Sequence, residues 1–411
     1  MKPAASKPHV GFKSLPTETI LILFSQLTDL PTLHSLISAS PVAYRLFRQH
    51  GIEIVESMMK SGNTTNRIPE IIRLVAFIRS QSLPIHSLEE FQERVVRQSM
   101  MQQRTNAAFL PGTLPANTQP VVLRSILASA TRISHLTSDC LEFHLDRLAT
   151  VEPEVLVDEN FTYRQGHPPR FSAIPAWRMR PEGRKSTLGK LEQSSWTEVQ
   201  RVERAFWRVQ FLHDLKVAAA RSLLPWSADD LARLQQMEPI DFYNKSSYAE
   251  YEEVNTVVDY LHELRARDAN NLPPMCDDFP PLPFQKRKMS NHYPRLMPDK
   301  DDHDHLRIPA PGYSHWRGLS ANSNSPLRYI TFESFRRLGF ALWSRERMAS
   351  LGLLKPGNQA HGSKSTDYYF FMWKSILSND EVLEVERVNE ERERRSGIPL
   401  GLGSFGGLGL H

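Results

Sequence analysis

A chain of 411 residues, 40% hydrophobic and 23% charged, has ordinary globular composition; a fibrous or fully disordered protein is excluded, and the length allows two or three domains or one large body. Lys and Arg number 50 against 46 Asp and Glu, a mild excess spread along the length that gives no reason to expect a nucleic-acid partner. Two cysteines, Cys140 and Cys276, are too few for a disulfide framework, and the chain shows neither a signal-peptide core nor an apolar run of about 18 residues, so cytosol or nucleus is expected, with no membrane partner.

Residues 1–9 read as a disordered amino terminus. The next stretch, LPTETILILFSQLTDLPTLHSLISASPVAYRLF at 15–47, carries three prolines, Pro16, Pro31 and Pro41, each suited to the first turn of a helix, where its missing N–H has no partner to lose. Ser14 or Leu15 then occupies the cap before the first helix. Ile20, Leu23, Phe24 and Leu27 recur at helical spacing, and Leu21 and Ile22 widen that stripe. Leu33, Leu36 and Ile37 mark a second helix, and Tyr44 and Phe47 a third, with Gly51 as its stop. A unit of roughly 40 residues cannot bury all these side chains against itself. Some of that apolar surface must meet something else.

The run Leu15-Pro16-x-Glu18-x-Ile20, then Leu27, Leu33, Leu36 and Ser40-Pro41-x-x-Tyr44, resembles an F-box; Tyr44 stands where many F-boxes carry Trp near the start of the third helix. The segments RVERAFWRVQFLHDL at 201–215 and RLGFALWSRERMASLGLL at 337–354 also resemble stretches that recur in fungal F-box proteins. The resemblance implies a three-helix module at 10–52 that docks on the Skp-type adaptor of a cullin-RING ubiquitin ligase, with an unknown protein substrate carried by the rest of the chain. It places Leu15, Pro16, Ile20, Leu23, Leu27, Leu33 and Leu36 at or just beneath the adaptor interface. The alternative is a scaffold protein whose F-box packs onto its own body and joins no ligase.

Beyond this module helical spacing continues: Ile52, Val55, Met58 and Met59; Ile71, Ile72, Val75 and Ile78 behind Pro69; then 87–105; and 119–149, which is long enough for one helix or two. Residues 150–193 lose the period and carry five prolines, so a long loop is expected there. Helices resume at Ser195-x-x-Glu198 and Ser227-x-x-Asp230, both capping-box patterns, and at 248–268. All seven tryptophans fall after residue 150, which predicts an aromatic-rich carboxy-terminal core. Nine prolines between 273 and 311 read as a long loop, functional or disordered. Residues 332–354 and 368–373 give further apolar helical patches, and Glu390 with Arg394 and Glu391 with Arg395 predict ion pairs on a last, charged helix.

Motifs for chemistry are few. The cluster Asp299-Lys300-Asp301-Asp302-His303-Asp304-His305 has metal-ligand residue types but lacks the spacing and central glycine of an EF-hand loop, so it reads as a hydrated acidic loop. Gly401 to Gly406 matches G-x-G-x-x-G with too little chain after it for a helix, and Lys286-Arg287-Lys288 is a short solvated basic run. Sequons at Asn63, Asn160 and Asn244 are read as coincidental, and Cys140 as an inert thiol inside a helical pattern. The expectation is therefore an all-α, non-enzymatic protein without cofactor or metal: F-box at 10–52, helical segment at 53–149, linker at 150–193, aromatic-rich helical domain at 194–396 and a flexible glycine-rich tail at 397–411.

Overall fold

In the computed structural model the residues described are 15–60, 67–98, 105–163, 175–189, 191–243, 248–267, 310–354 and 365–396. The expected terminal segments at 1–9 and 397–411, nearly all of 273–311, Cys276, the Asp299–His305 cluster and the basic run lie outside them. The fold is all-α, with only two short strands among the described residues.

Prolines and short polar caps set the first helices. Pro16 stands at the N-cap of α1 (Thr17–Gln26), one position earlier than expected. The Asp29 carboxylate caps α2 (Leu30–Ala39), accepting from the Thr32 N–H at 2.6 Å, with Pro31 in the first turn. The third helix, α3 (Pro41–Lys60), does not stop at Gly51: it bends at His50 (φ −121°, ψ 19°) and runs on. Gly51 serves close approach instead, since a Cβ there would lie 2.7 Å from Leu123 Cδ1.

Then come α4 (Arg67–Arg79) and a short α5 (Leu88–Phe91) capped by the Ser87 hydroxyl, which widens into a π-type turn at Gln92–Arg97. The stretch left open as one helix or two is the single helix α6 (Pro120–Ala149). After it come α7 (Trp196–Ala220), α8 (Ala228–Gln236), α9 (Pro239–Tyr243) and α10 (Tyr248–Arg267). Ser227 caps α8 by accepting from the Asp230 N–H at 3.2 Å, while the Asp230 carboxylate accepts from the Leu88 N–H at 3.3 Å. The capping pattern thus ties α8 to α5.

Contacts divide the chain into two units, Met1–Cys140 with Trp196–Arg307, and Leu141–Ser195 with Ile308–His411. This corrects the expected split at 150–193 with one domain at 194–396. The reason is tertiary: α7 packs against α4 and α10, and Phe91 of α5 stacks on Phe211 of α7 and meets Trp226 and Phe242. The Trp226 Nε1–H donates to the Ile85 carbonyl at 2.8 Å, so that ring is both buried and satisfied. Trp196, Trp207 and Trp226 belong to this first core, and the tryptophans therefore serve two cores rather than one.

In the second unit the expected loop holds an antiparallel pair, β1 (Glu154–Leu156) and β2 (Gly183–Lys185), with Val155 opposite Arg184. Its helices are α11 (Pro311–Ala321), α12 (Glu333–Arg336), α13 (Arg345–Ser350), α14 (Thr366–Ser375) and α15 (Asn379–Ser396). The apolar patch at 332–354 is thus two short helices, not one. Gly339, at φ +75°, turns the chain between them, and a Cβ there would lie 2.7 Å from the Trp343 ring. The Trp343 and Trp373 indoles are fully buried and donate to the Leu338 and Leu353 carbonyls at 2.8 and 3.0 Å. On α15, Glu391 pairs with Arg395 at 2.6 Å, whereas Glu390 reaches Arg178 at 3.4 Å. Among the described residues no helix is long and apolar enough to cross a membrane.

Candidate functional site

The first three helices form the clip that the sequence singled out, with α1 and α2 both packed on α3. Ile20 and Phe24 of α1, Leu33 and Ile37 of α2, and Ala43, Leu46 and Phe47 of α3 supply its interior. Ile20 and Phe24, four apart, turn inward together, and Ile22 lies on the opposite side; Leu23, three from Ile20, stands at the edge of the buried stripe and keeps 38% of its surface.

Ile22 is 61% exposed and Leu23 38% exposed, Pro16 is exposed, and Leu15, Leu27 and Leu36 are half-buried. Ile20 and Leu33, by contrast, have no exposed surface at all. Five of the seven residues assigned to an interface thus retain accessible surface, and two are interior. Ile22, the most open of the large aliphatics on α1, was given only as a widening of the stripe.

The clip is anchored on one side. The His34 imidazole Nδ1 lies 3.0 Å from the Thr131 hydroxyl of α6, and the Arg124 guanidinium sits over the Tyr44 ring at 5.8 Å. Burial, then the charge of Arg124, lowers the pKa of His34 below the usual histidine value. Tyr44, at the position where a Trp stands in many F-boxes, is therefore engaged by a cation of the same unit. The Asp29 carboxylate faces Glu203 of α7, and burial together with Asp29 pushes the Glu203 carboxyl up to about 7. So α2 and α3 meet the body while part of α1 stays open.

The second concentration of charge is internal, and sequence reading missed it. Arg201, Arg204 and Arg208 project from one face of α7, at helical spacing, toward Glu250 and Glu253 of α10. Arg204 donates to both Glu253 oxygens, at 2.8 and 2.7 Å, and Arg208 lies 3.2 Å from Glu250. Burial opposes the Arg204 charge, and Glu253 and Glu250 outweigh it, so its pKa stands above the usual value. The readable signal was an Arg-x-x-Arg-x-x-x-Arg helix beside a Glu-x-x-Glu helix. This lattice fixes how two buried helices pair.

Chemical groups elsewhere are sparse. The Cys140 thiol is fully buried, and burial, then Asp139, raises its pKa well above the usual thiol value, which disfavours the thiolate. Among the described residues no group of three or more His, Cys, Asp or Glu side chains is placed to hold a metal ion. No family model, curated protein or solved structure matches this chain.

Proposed function

We propose that this chain is a substrate receptor of F-box type, whose amino-terminal clip docks on a Skp-type adaptor of a cullin-RING ubiquitin ligase while the rest holds a protein substrate. The observation that carries the reading is the open apolar side of α1, where Ile22 and Leu23 stay in water although a large body lies within reach of the same clip. Receptors of this kind work by tethering: they raise the local concentration of substrate at a distant active centre, and no catalytic group of their own is required.

Fully burying an exposed aliphatic side chain is worth about 1.5 to 3 kcal/mol. Scaled by exposures of 61% and 38%, Ile22 and Leu23 together offer about 1.5 to 3 kcal/mol, and Leu15, Leu27 and Leu36 add smaller shares. Ile20 and Leu33 add nothing to docking, because their area is already removed from water. Their role in this proposal is to hold the outward residues in place.

A scaffold whose clip packs onto its own body and never joins a ligase is the second reading; burial of Leu15, Ile20 and Leu23 would favour it, and of these only Ile20 is buried, while the contact of His34 with Thr131 shows part of α2 on the body. The two readings part on one experiment. Wild-type protein and the double variant Ile22→Asp/Leu23→Asp are mixed with a purified Skp-type adaptor, and binding is measured by calorimetry. The receptor reading expects complex formation by wild type, at least about tenfold weaker binding by the variant, and unchanged melting because neither side chain is interior. Failure of folded wild type to bind the adaptor overturns the receptor reading.

A further inference from the structure

The second unit contains a cavity of about 310 Å³ between α11, α13 and the start of α14, at the small end of the range for ligand pockets, about 300 to 1,000 Å³. Ser314, His315, Arg345, Thr366 and Tyr369 supply its polar lining among the described residues; Ser314, Arg345 and Thr366 are exposed to solvent at its mouth, and the His315 Nε2 is buried with no hydrogen-bond partner among the described residues. Other polar groups of the same unit serve its own structure: Asp367 accepts from the Tyr163 N–H at 2.9 Å, Arg347 donates to the Glu192 and Gln193 carbonyls at 2.9 and 2.8 Å, and Ser375 accepts from the Glu154 N–H at 2.8 Å. A buried ring nitrogen without a partner, beside a hollow with an exposed guanidinium at its mouth, is a group that a bound molecule could satisfy.

The chemistry of the lining selects the class of visitor. Arg345 is the one charged group, since burial, then Arg345 itself, lowers the His315 pKa to about 4 and leaves that ring neutral at physiological pH. No carboxylate lines the cavity among the described residues. Three hydroxyls, on Ser314, Thr366 and Tyr369, add donors that turn freely to suit an acceptor. Thr366 is also the first residue of the ten-residue helix α14, whose start is already served by the Ser365 hydroxyl, which accepts from the Tyr368 N–H at 3.2 Å, and by Asp367 in its first turn, so the anion contact rests on Arg345 and the hydroxyls. Pro311, Leu319 and Leu354, with the Tyr369 ring, give apolar wall for the remainder of a ligand. The His315 ring stands edge-on to Tyr369 at 5.4 Å and against Trp373 at 5.1 Å, so the floor is rigid and aromatic.

We propose that this cavity binds a small organic oxyanion, a carboxylate or a phosphate monoester, with its head on Arg345 and the hydroxyls and its apolar or aromatic body against Leu319, Leu354 and Tyr369. The site uses none of the residues of the adaptor proposal and stands or falls independently of it. Binding requires no covalent step. Arg345 is exposed and makes no ion pair among the described residues, so replacing it removes the anion contact without unsettling the core.

The test is calorimetry and saturation-transfer NMR on the full chain with four probes: benzoate, phenyl phosphate, inorganic phosphate and the neutral benzyl alcohol. Benzoate or phenyl phosphate is expected to bind in the micromolar to millimolar range, inorganic phosphate more weakly than phenyl phosphate, and benzyl alcohol not at all. Whichever aromatic anion binds more tightly names the head group. Arg345→Gln is expected to weaken that anion at least about tenfold with melting unchanged, as loss of a charge-assisted contact requires. The proposal is overturned if folded wild type binds neither aromatic anion, if benzyl alcohol binds as well, or if Arg345→Gln binds them equally. A second variant, Leu319→Ala/Leu354→Ala, separates the walls from the head: it should lose the preference for phenyl phosphate over inorganic phosphate.

Discussion

Replacing Glu203 by Gln should make the protein more stable above neutral pH and leave it unchanged in acid. Glu203 lies on α7, accepts a hydrogen bond from the Gln200 side chain at 3.1 Å, and faces the Asp29 carboxylate that caps α2. Burial, then Asp29, raises its carboxyl from 4.5 to about 7. A raised carboxyl pKa means that the folded protein holds its proton where the unfolded chain has released it. Between pH 4.5 and 7 the folded state therefore binds more protons, and stability falls as pH rises. The loss is about 1.4 kcal/mol per pH unit across that window, roughly 3 kcal/mol in all, and is complete above it. Glutamine keeps the shape and the acceptor oxygen for Gln200 but never ionises. Urea titrations of both proteins at pH 4, 6 and about 8 should thus show coincident midpoints in acid and a growing advantage for Glu203→Gln toward neutrality, approaching about 3 kcal/mol. Parallel pH profiles for the two proteins would refute the reading that burial, with Asp29 beside it, raises the Glu203 carboxyl in the folded protein.

Two further substitutions probe packing. Arg204→Met takes from Glu253, whose side chain is 1% exposed, the guanidinium that donates to both its oxygens, leaving Arg201 at 3.8 Å and Arg208 at 3.9 Å, and should cost about 3 kcal/mol in urea unfolding; a cost below about 1 kcal/mol would show that the two remaining arginines or water compensate. Gly51→Ala adds a methyl 2.7 Å from Leu123 Cδ1. The helix gains about 1 kcal/mol of propensity, but overpacking against a Leu123 that is 1% exposed costs about 1 to 3, so the melting temperature should fall. A higher melting temperature would mean that Leu123 swings aside.

What the amino-acid sequence determined here is local. Proline in the first turn specified α2, the Ser227 cap α8 and apolar spacing α10, because each of these signals acts within one or two turns of chain. The clip at 15–47 was legible for the same reason, and so was its excess of apolar surface. The direction of each side chain within it was not: Ile20 and Ile22 are equally apolar, and only packing on α3 decides that one is interior and the other open.

The larger organisation belonged to tertiary structure. Gly51 reads as a helix stop in isolation, yet the approach of Leu123 from seventy-odd residues away makes it a contact point inside a bent helix. Arg201, Arg204 and Arg208 carry no sign in their own helix of the Glu250 and Glu253 that the fold brings opposite them. The cavity around Arg345 draws its lining from three helices separated by more chain than any periodic signal spans. Nor does local patterning reveal that α7 joins the amino-terminal helices rather than its aromatic neighbours further along, because burial and charge pairing are summed over partners distant in the chain, and hydrophobic area carries no address.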